Sequence, residues 1–379
     1  MQSANLRFHN FTNVSLCRYL PYCDVNYVND CHTTTVRKCE ACNIHGASLI
    51  LAIFIIAGIL ITVGNILIIA SVVFCDKRAR TKYDLAKASL AFANFTVGVA
   101  IWLINIPHVI WSLGQTPLTI GLYVNQSANS ALAIASATWF TFLFSSSVYH
   151  LLYMSIQRMI AVRWPIYYRN LSFKKVYLHL LLVWCFSLLA STPILPGNAI
   201  QVAYRANLFS FLPIIRERKL SETVVVLFGL VILSVPYVIM TILTIITAIV
   251  LNNQTKKSQT LRLRSPSASE TAESRAKFKE KIKENRAFIT LVFLQIGFTA
   301  LIVPMFLSIV LNYAAIIDCT QGALNFAFYF ASKTSSLANV IIYTWRDRGF
   351  QSFIRRICKR LCTRRLELRA ENSNDQINR

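Results

Sequence analysis

Residues 48–74 read SLILAIFIIAGILITVGNILIIASVVF, twenty-seven positions without one charged side chain. A helix crosses the hydrocarbon of a bilayer with about 20 mostly apolar residues, so this stretch alone makes the membrane the expected solvent. Six more qualify, at roughly 85–112, 130–157, 177–197, 222–251, 287–313 and 321–344. All are helix-length, unlike the ten-residue alternations of a barrel strand. Composition agrees. Of 379 residues 55% are hydrophobic and 15% charged, with a mean hydropathy of +0.49, whereas soluble chains carry about a quarter charged residues. The apolar residues lie in blocks, which excludes a soluble enzyme, a coiled coil and a disordered chain. The expected fold class is an all-α membrane protein, a seven-transmembrane helix bundle over 48–345 with a tail at 1–47. The third and seventh stretches carry the most Ser, Thr and Asn and are expected to face other helices.

Lys and Arg set the expected orientation. Of the 39, 30 fall in 76–87, 158–175, 256–286 and 346–379, which become cytosolic segments; only 8 fall in the tail and the loops at 198–222 and 314–320. The net charge of +23 therefore reflects topology and anionic membrane lipid, with no nucleic acid implied. The N-terminus is expected outside and the C-terminus in the cytosol, at the plasma membrane. The first 40 residues lack an apolar core, so the first span is expected to serve as the insertion signal.

The outer segments fit an oxidising, glycosylating compartment. Asn10-Phe11-Thr12, Asn13-Val14-Ser15 and Asn125-Gln126-Ser127 are acceptor sequons. Cys17, Cys23, Cys31, Cys39 and Cys42 lie in the tail, and Cys319 in the last outer loop makes six disulfide candidates. Six allow fifteen connectivities. A knit tail with one bridge to the bundle is the preferred arrangement; a free or intermolecular cysteine is the alternative.

The spans are poor in chemistry. No Asp or Glu occurs from 85 to 216, and Asp84, Glu222, Glu284 and Asp318 sit only at membrane edges. A transporter of protons or cations needs a buried carboxylate. His108, His150 and His179 lie on separate spans without partners at ligand spacing, so no metal is expected. No Ser/His/Asp set or phosphate loop occurs either, and neither enzyme activity nor a catalytic residue is expected.

Short motifs then recur span by span. They are Gly64-Asn65-Ile66-Leu67; Leu90-Ala91-Phe92-Ala93-Asn94; Ser155-Ile156-Gln157-Arg158-Met159-Ile160-Ala161-Val162 with Pro165; Trp184 and Pro193; Pro236; Phe298 with Pro304; and Asn339-Val340-Ile341-Ile342-Tyr343 followed by Phe350. In this order they resemble the rhodopsin-like (class A) G-protein-coupled receptors over about residues 48–360. The resemblance implies a receptor that passes an outer ligand to a heterotrimeric G protein, with arrestin as a further partner. Gln157, Arg158, Met159, Glu284, Asn339 and Tyr343 stand at the family's coupling and switch positions. Glu284 is placed to lock Arg158, although Arg158 at the interface could also snorkel into phosphate. Asn65, Asn94 and Asn339 are expected to face one another as a buried amide network, since unpaired amides in hydrocarbon are costly.

Departures mark a divergent member. Gln157 replaces the family's Asp beside the arginine, Asn94 replaces the acid of its sodium site, and Ile302 stands where a Trp is usual. The usual cysteines of the third span and second outer loop are missing. Phe140 occupies the amine-binding Asp position, which argues against monoamines.

Lys333 resembles the retinal-binding lysine of opsins by its spacing from Asn339. Three readings stay open: a Schiff base with retinal, an anchor for an anionic ligand group, or a lysine bonded to carbonyls and water. The spans offer no counterion for the first, and no cofactor is expected otherwise. The cysteine-bearing tail and the basic loop with Arg205, Arg216, Arg218 and Lys219 favour a (neuro)peptide ligand. Small anionic molecules, or retinal bound through Lys333, are the alternatives.

Inside, Ser265, Ser267, Ser269, Thr271 and Ser274 lie in the polar third loop at 256–286 and suit phosphorylation or a plain linker. Phe350, Phe353, Ile354 and Ile357 recur at 3–4 spacing among Arg355, Arg356, Lys359 and Arg360, which predicts a short amphipathic eighth helix on the inner leaflet in 346–379. Cys358 and Cys362 follow as lipidation candidates or unmodified thiols.

Overall fold

Each of the seven apolar stretches contributes a helix to the computed structural model, which describes residues 44–74, 81–113, 115, 123, 126–127, 130–192, 201–205, 210–214, 234–254, 288–304 and 322–359. We name them α1 (Ile44–Val73), α2 (Lys82–Leu113), α3 (Ala131–Arg163), α4 (Phe173–Ser191), α5 (Ser234–Gln254), α6 (Phe288–Pro304) and α7 (Gly322–Arg346). A short helix, Pro165–Asn170, joins α3 to α4, and α8 covers 348–359. The six tail and loop cysteines, Cys17, Cys23, Cys31, Cys39, Cys42 and Cys319, lie outside the described residues. So do Asn10, Asn13, Asn125, Glu284, Cys362 and the loop at 256–286.

Helices α1 to α5 are long and apolar enough to cross a membrane, and α6 is a shorter apolar helix. Helix α7 has the length, 25 residues, but dilutes its hydropathy with Ser332, Lys333, Ser335, Ser336 and Asn339, all buried. Helix α3 likewise turns Ser136, Ser145, Ser146, Ser147 and Ser155 inward. The outward faces are the apolar ones: Leu178, Leu181, Leu182 and Phe186 of α4, and Ile239, Ile242, Ile245 and Ile249 of α5, are exposed. A water-facing helix would show the opposite pattern; lipid is the solvent these faces fit.

Local chemistry sets the helix ends. Thr81 and Asp84 form a capping box that starts α2. Helix α3 runs to Arg163, six residues past the expected end, because nothing interrupts it before Pro165 biases Trp164 out of the helical region. Helix α4 stops at Ser191, two residues before Pro193. Within α2, Pro107 cannot donate to the carbonyl four residues back, and the turn before it, Ile101–Asn105, widens into a π-helix.

Small residues let the helices close up. A Cβ on Gly64 of α1 would sit 2.5 Å from Val340 of α7, and one on Gly98 of α2 would meet Thr62 of α1. In lipid such close approach is the main source of helix association. One apolar core joins Ile68, Leu90, Leu151, Met154, Leu294 and Tyr343 near the Arg158 end. A second, around Phe54 with Phe326 and Phe330, joins α1, α2 and α7 at the other end.

The sequence reading had no strands, and the structure adds one hairpin. β1 (Gln201–Arg205) pairs antiparallel with β2 (Ser210–Ile214), Ala203 opposite Leu212, and packs on α3. Five-residue strands are too short to stand out as a period-2 pattern beside spans four times their length.

Candidate functional site

The polar side chains kept from lipid gather at three levels of the bundle. At the Arg158 end, Arg158 is buried and stacks its guanidinium over the Tyr83 ring of α2, 4.1 Å from the centroid. Among the described residues it has no carboxylate partner. Gln157, in the position of the family acid, turns away: its Nε2 donates to Tyr153 Oη at 2.7 Å, one turn back along α3. Met159 is partly buried beside it. Gln295 of α6 donates to Ser155 Oγ of α3 at 2.7 Å, a neutral tie between these two helices.

Tyr343 is buried in the same region, with Phe350 of α8 in the same core. Above its ring, 5.7 Å from the centroid, lies the ammonium of Lys87. Lys87 Nζ is 2.6 Å from Asp347 Oδ2 and 3.5 Å from Asp84 Oδ1. Lys87, Tyr83 and Asp347 were not singled out from sequence. Lys87 reads there as one more cation of a basic segment, and nothing local signals its burial or a partner 260 residues away.

Deeper in the bundle, Asn65, Asn94 and Asn339 are all buried. Their bonding differs from the expected mutual network. Asn65 Nδ2 donates to the Ile61 carbonyl at 2.8 Å, and Asn94 Oδ1 accepts from Ser336 Oγ at 3.1 Å. No hydrogen bond joins two of the three asparagines; the Asn65 amide is turned to its own helix and the Asn94 oxygen is taken by Ser336 of α7. His150 of α3 is equally enclosed. It bonds Ser89 Oγ at 2.8 Å and the Ser146 carbonyl at 2.7 Å, while Trp184 Nε1 donates to Ser89 at 3.1 Å. This is a neutral tie among α2, α3 and α4. No cluster of metal-ligating side chains occurs among the described residues.

At the opposite end Lys333 is buried, and its Nζ donates to Asn105 Oδ1 at 2.8 Å. The rings of Phe140 and Tyr329 flank the ammonium at 5.0 and 4.9 Å. Asn105 ends the π-helical turn of α2, which aims it across the bundle. The adjoining cavity, about 30 Å³, is lined by Ser136, Trp139, Phe140, Phe298, Lys333 and Ser336, with Ser210 of β2 closing one side. That space holds roughly two waters. Among the described residues no Asp or Glu lines it. Asn105 was missed in the sequence, although a lone amide in the outer half of an apolar span was a usable signal.

Helix α8 carries the expected faces, Phe350 buried and Arg355, Arg356 and Lys359 exposed. Cys358 is exposed with a free thiol.

Residues 64–343 match the family described as 7 transmembrane receptor (rhodopsin family). Among solved structures, squid rhodopsin superposes with a TM-score of 0.70 at 16% identity, covering 88% of this chain and 92% of that one. No curated protein matches the chain.

Proposed function

From the chain's membership of the rhodopsin family of seven-transmembrane receptors, we propose that it carries an extracellular peptide signal to heterotrimeric G proteins. Its N-terminus is outside and its C-terminus in the cytosol. It is a multi-pass membrane receptor; the orientation of its termini and the ligand class are what the proposal adds. One observation carries the peptide reading. The cavity beside Lys333 holds about 30 Å³ and is closed on one side by the hairpin, so a ligand gripped chiefly by the outer face fits better than one engulfed in the bundle. The basic residues of 198–222 and the cysteine-bearing tail would supply that face. On the inner side, Arg158 would meet the G protein, the phosphorylated third loop would meet arrestin, and lipid on Cys358 or Cys362 would anchor α8.

A second reading rests on Lys333 itself. Its ammonium has a neutral amide partner and, among the described residues, no lining carboxylate, so a ligand's anionic group could replace Asn105 as its partner. Retinal fits less well, because a protonated Schiff base in hydrocarbon needs a counterion.

The test is G-protein activation in cells expressing the chain, challenged with tissue extract before and after protease digestion, with empty cells as control. A response lost on digestion supports the peptide. A response that survives digestion and disappears in Lys333→Met turns the assignment to an anionic small molecule.

A further inference from the structure

We propose that Lys87 is a positioning residue for signalling, joining the N-terminal caps of α2 and α8 into one clasp that holds Tyr343 and Arg158 in their resting places. The inference rests on the receptor reading above. Lys87, Arg158 and Lys333 are the buried cations among the described residues, and Lys87 alone has carboxylates beside it.

Both carboxylates are already committed to a helix start. Asp84 Oδ2 accepts from Thr81 N at 2.8 Å and from Thr81 Oγ1 at 2.7 Å, closing the capping box of α2. Asp347 Oδ1 accepts from Phe350 N at 3.1 Å and caps α8. Each acid keeps one oxygen for its own helix and turns the other to Lys87. The lysine thereby fixes α2 to the junction of α7 and α8, two segments 260 residues apart.

The clasp continues inward through aromatic faces. The Lys87 ammonium lies over the Tyr343 ring, Tyr343 neighbours Tyr83, and Tyr83 bears the Arg158 guanidinium. Moving α7 away from α2 would part Asp347 from a buried ammonium. Separating the pair leaves Asp347 without its cation and Lys87 with only the longer contact to Asp84, 3.5 Å away, in a poorly solvated site. The resting arrangement is therefore held by a partner that the Gln157 substitution cannot remove. Arg158 needs only a ring, which lets it go more readily than a carboxylate would.

The experiment uses the full chain in lipid nanodiscs, as wild type, Lys87→Met, Asp347→Asn, the double variant and Lys87→Arg. Asn at 347 preserves the cap while removing the charge, so Asp347→Asn carries the test should Lys87→Met misfold. Ligand-independent nucleotide exchange is measured on purified G proteins of each Gα class at equal receptor. Each single neutralisation is expected to raise exchange about fivefold, the lower end of allosteric coupling. The double variant should match the singles instead of multiplying them, and Lys87→Arg should stay near wild type. Singles equal to wild type, with exchange above empty discs, overturn the clasp. So does a double variant equal to the product of the singles. Exchange at the empty-disc level for every variant and every Gα class overturns the G-protein reading instead. Melting temperatures of the same samples then decide the clasp, and additive shifts would overturn it.

Discussion

Lys87 and Lys333 are both buried, at opposite ends of the bundle, and their surroundings could hardly differ more. Lys87 has carboxylate oxygens at 2.6 and 3.5 Å. Lys333 has an amide oxygen at 2.8 Å and two aromatic faces. An ammonium taken out of water needs a partner. The first has found a permanent one within the chain, whereas the second is held by groups that a ligand's anion could outbid. Compensated charge restrains; uncompensated charge remains available.

The comparison can be broken most directly by removing each lysine in turn. Lys87→Met leaves two partly buried carboxylates without their cation, and the expected loss of stability is about 3 kcal/mol, the low end for a broken buried pair because Asp347 and Asp84 retain some solvent. Thermal denaturation in nanodiscs measures it. Lys333→Met removes one hydrogen bond to Asn105 Oδ1, at about 1 kcal/mol, and an ammonium with no carboxylate beside it among the described residues. Its net change should stay within about 1 kcal/mol of zero, and equal losses for the two variants would erase the distinction.

Two smaller effects sharpen it. Gln157→Asp places a carboxylate beside Arg158 and should lower basal signalling about twofold at matched surface expression, a small effect because the desolvation of a new carboxylate at a buried position offsets most of the attraction. A rise would show that Tyr83 already satisfies the arginine. Smallest of all is salt. Raising the ionic strength from about 0.1 to about 0.5 M screens exposed charges but hardly reaches a buried pair, so the Lys87–Asp347 coupling from a double-mutant cycle should move by no more than a few tenths of a kcal/mol. Collapse of the coupling in salt would place the pair in solvent.

Much of the fold was legible because membrane insertion depends on local sums. The run at 48–74 needs no distant contact to declare itself, and Pro165 and Pro193 mark where α3 and α4 end through sterics within one turn. Part of the site was legible too. Arg158, Tyr343 and Lys333 stood out by motif or by charge in an apolar stretch, and each is buried. Lys87 did not stand out, since a basic residue near a helix start looks like any other cation of a basic loop. Asp347, seven residues beyond Val340, looked like one acid in a basic tail. The asparagines were legible as buried amides, yet their partners were not, because Ser336 intervenes at Asn94.

The sequence by itself determined which segments leave water and which polar residues within them must be hidden. Those are properties of short windows, added residue by residue. Only the tertiary structure decided which hidden cation meets a carboxylate and which meets an amide. Electrostatic pairing depends on distances of a few ångströms between residues hundreds of positions apart, and helix packing alone sets those.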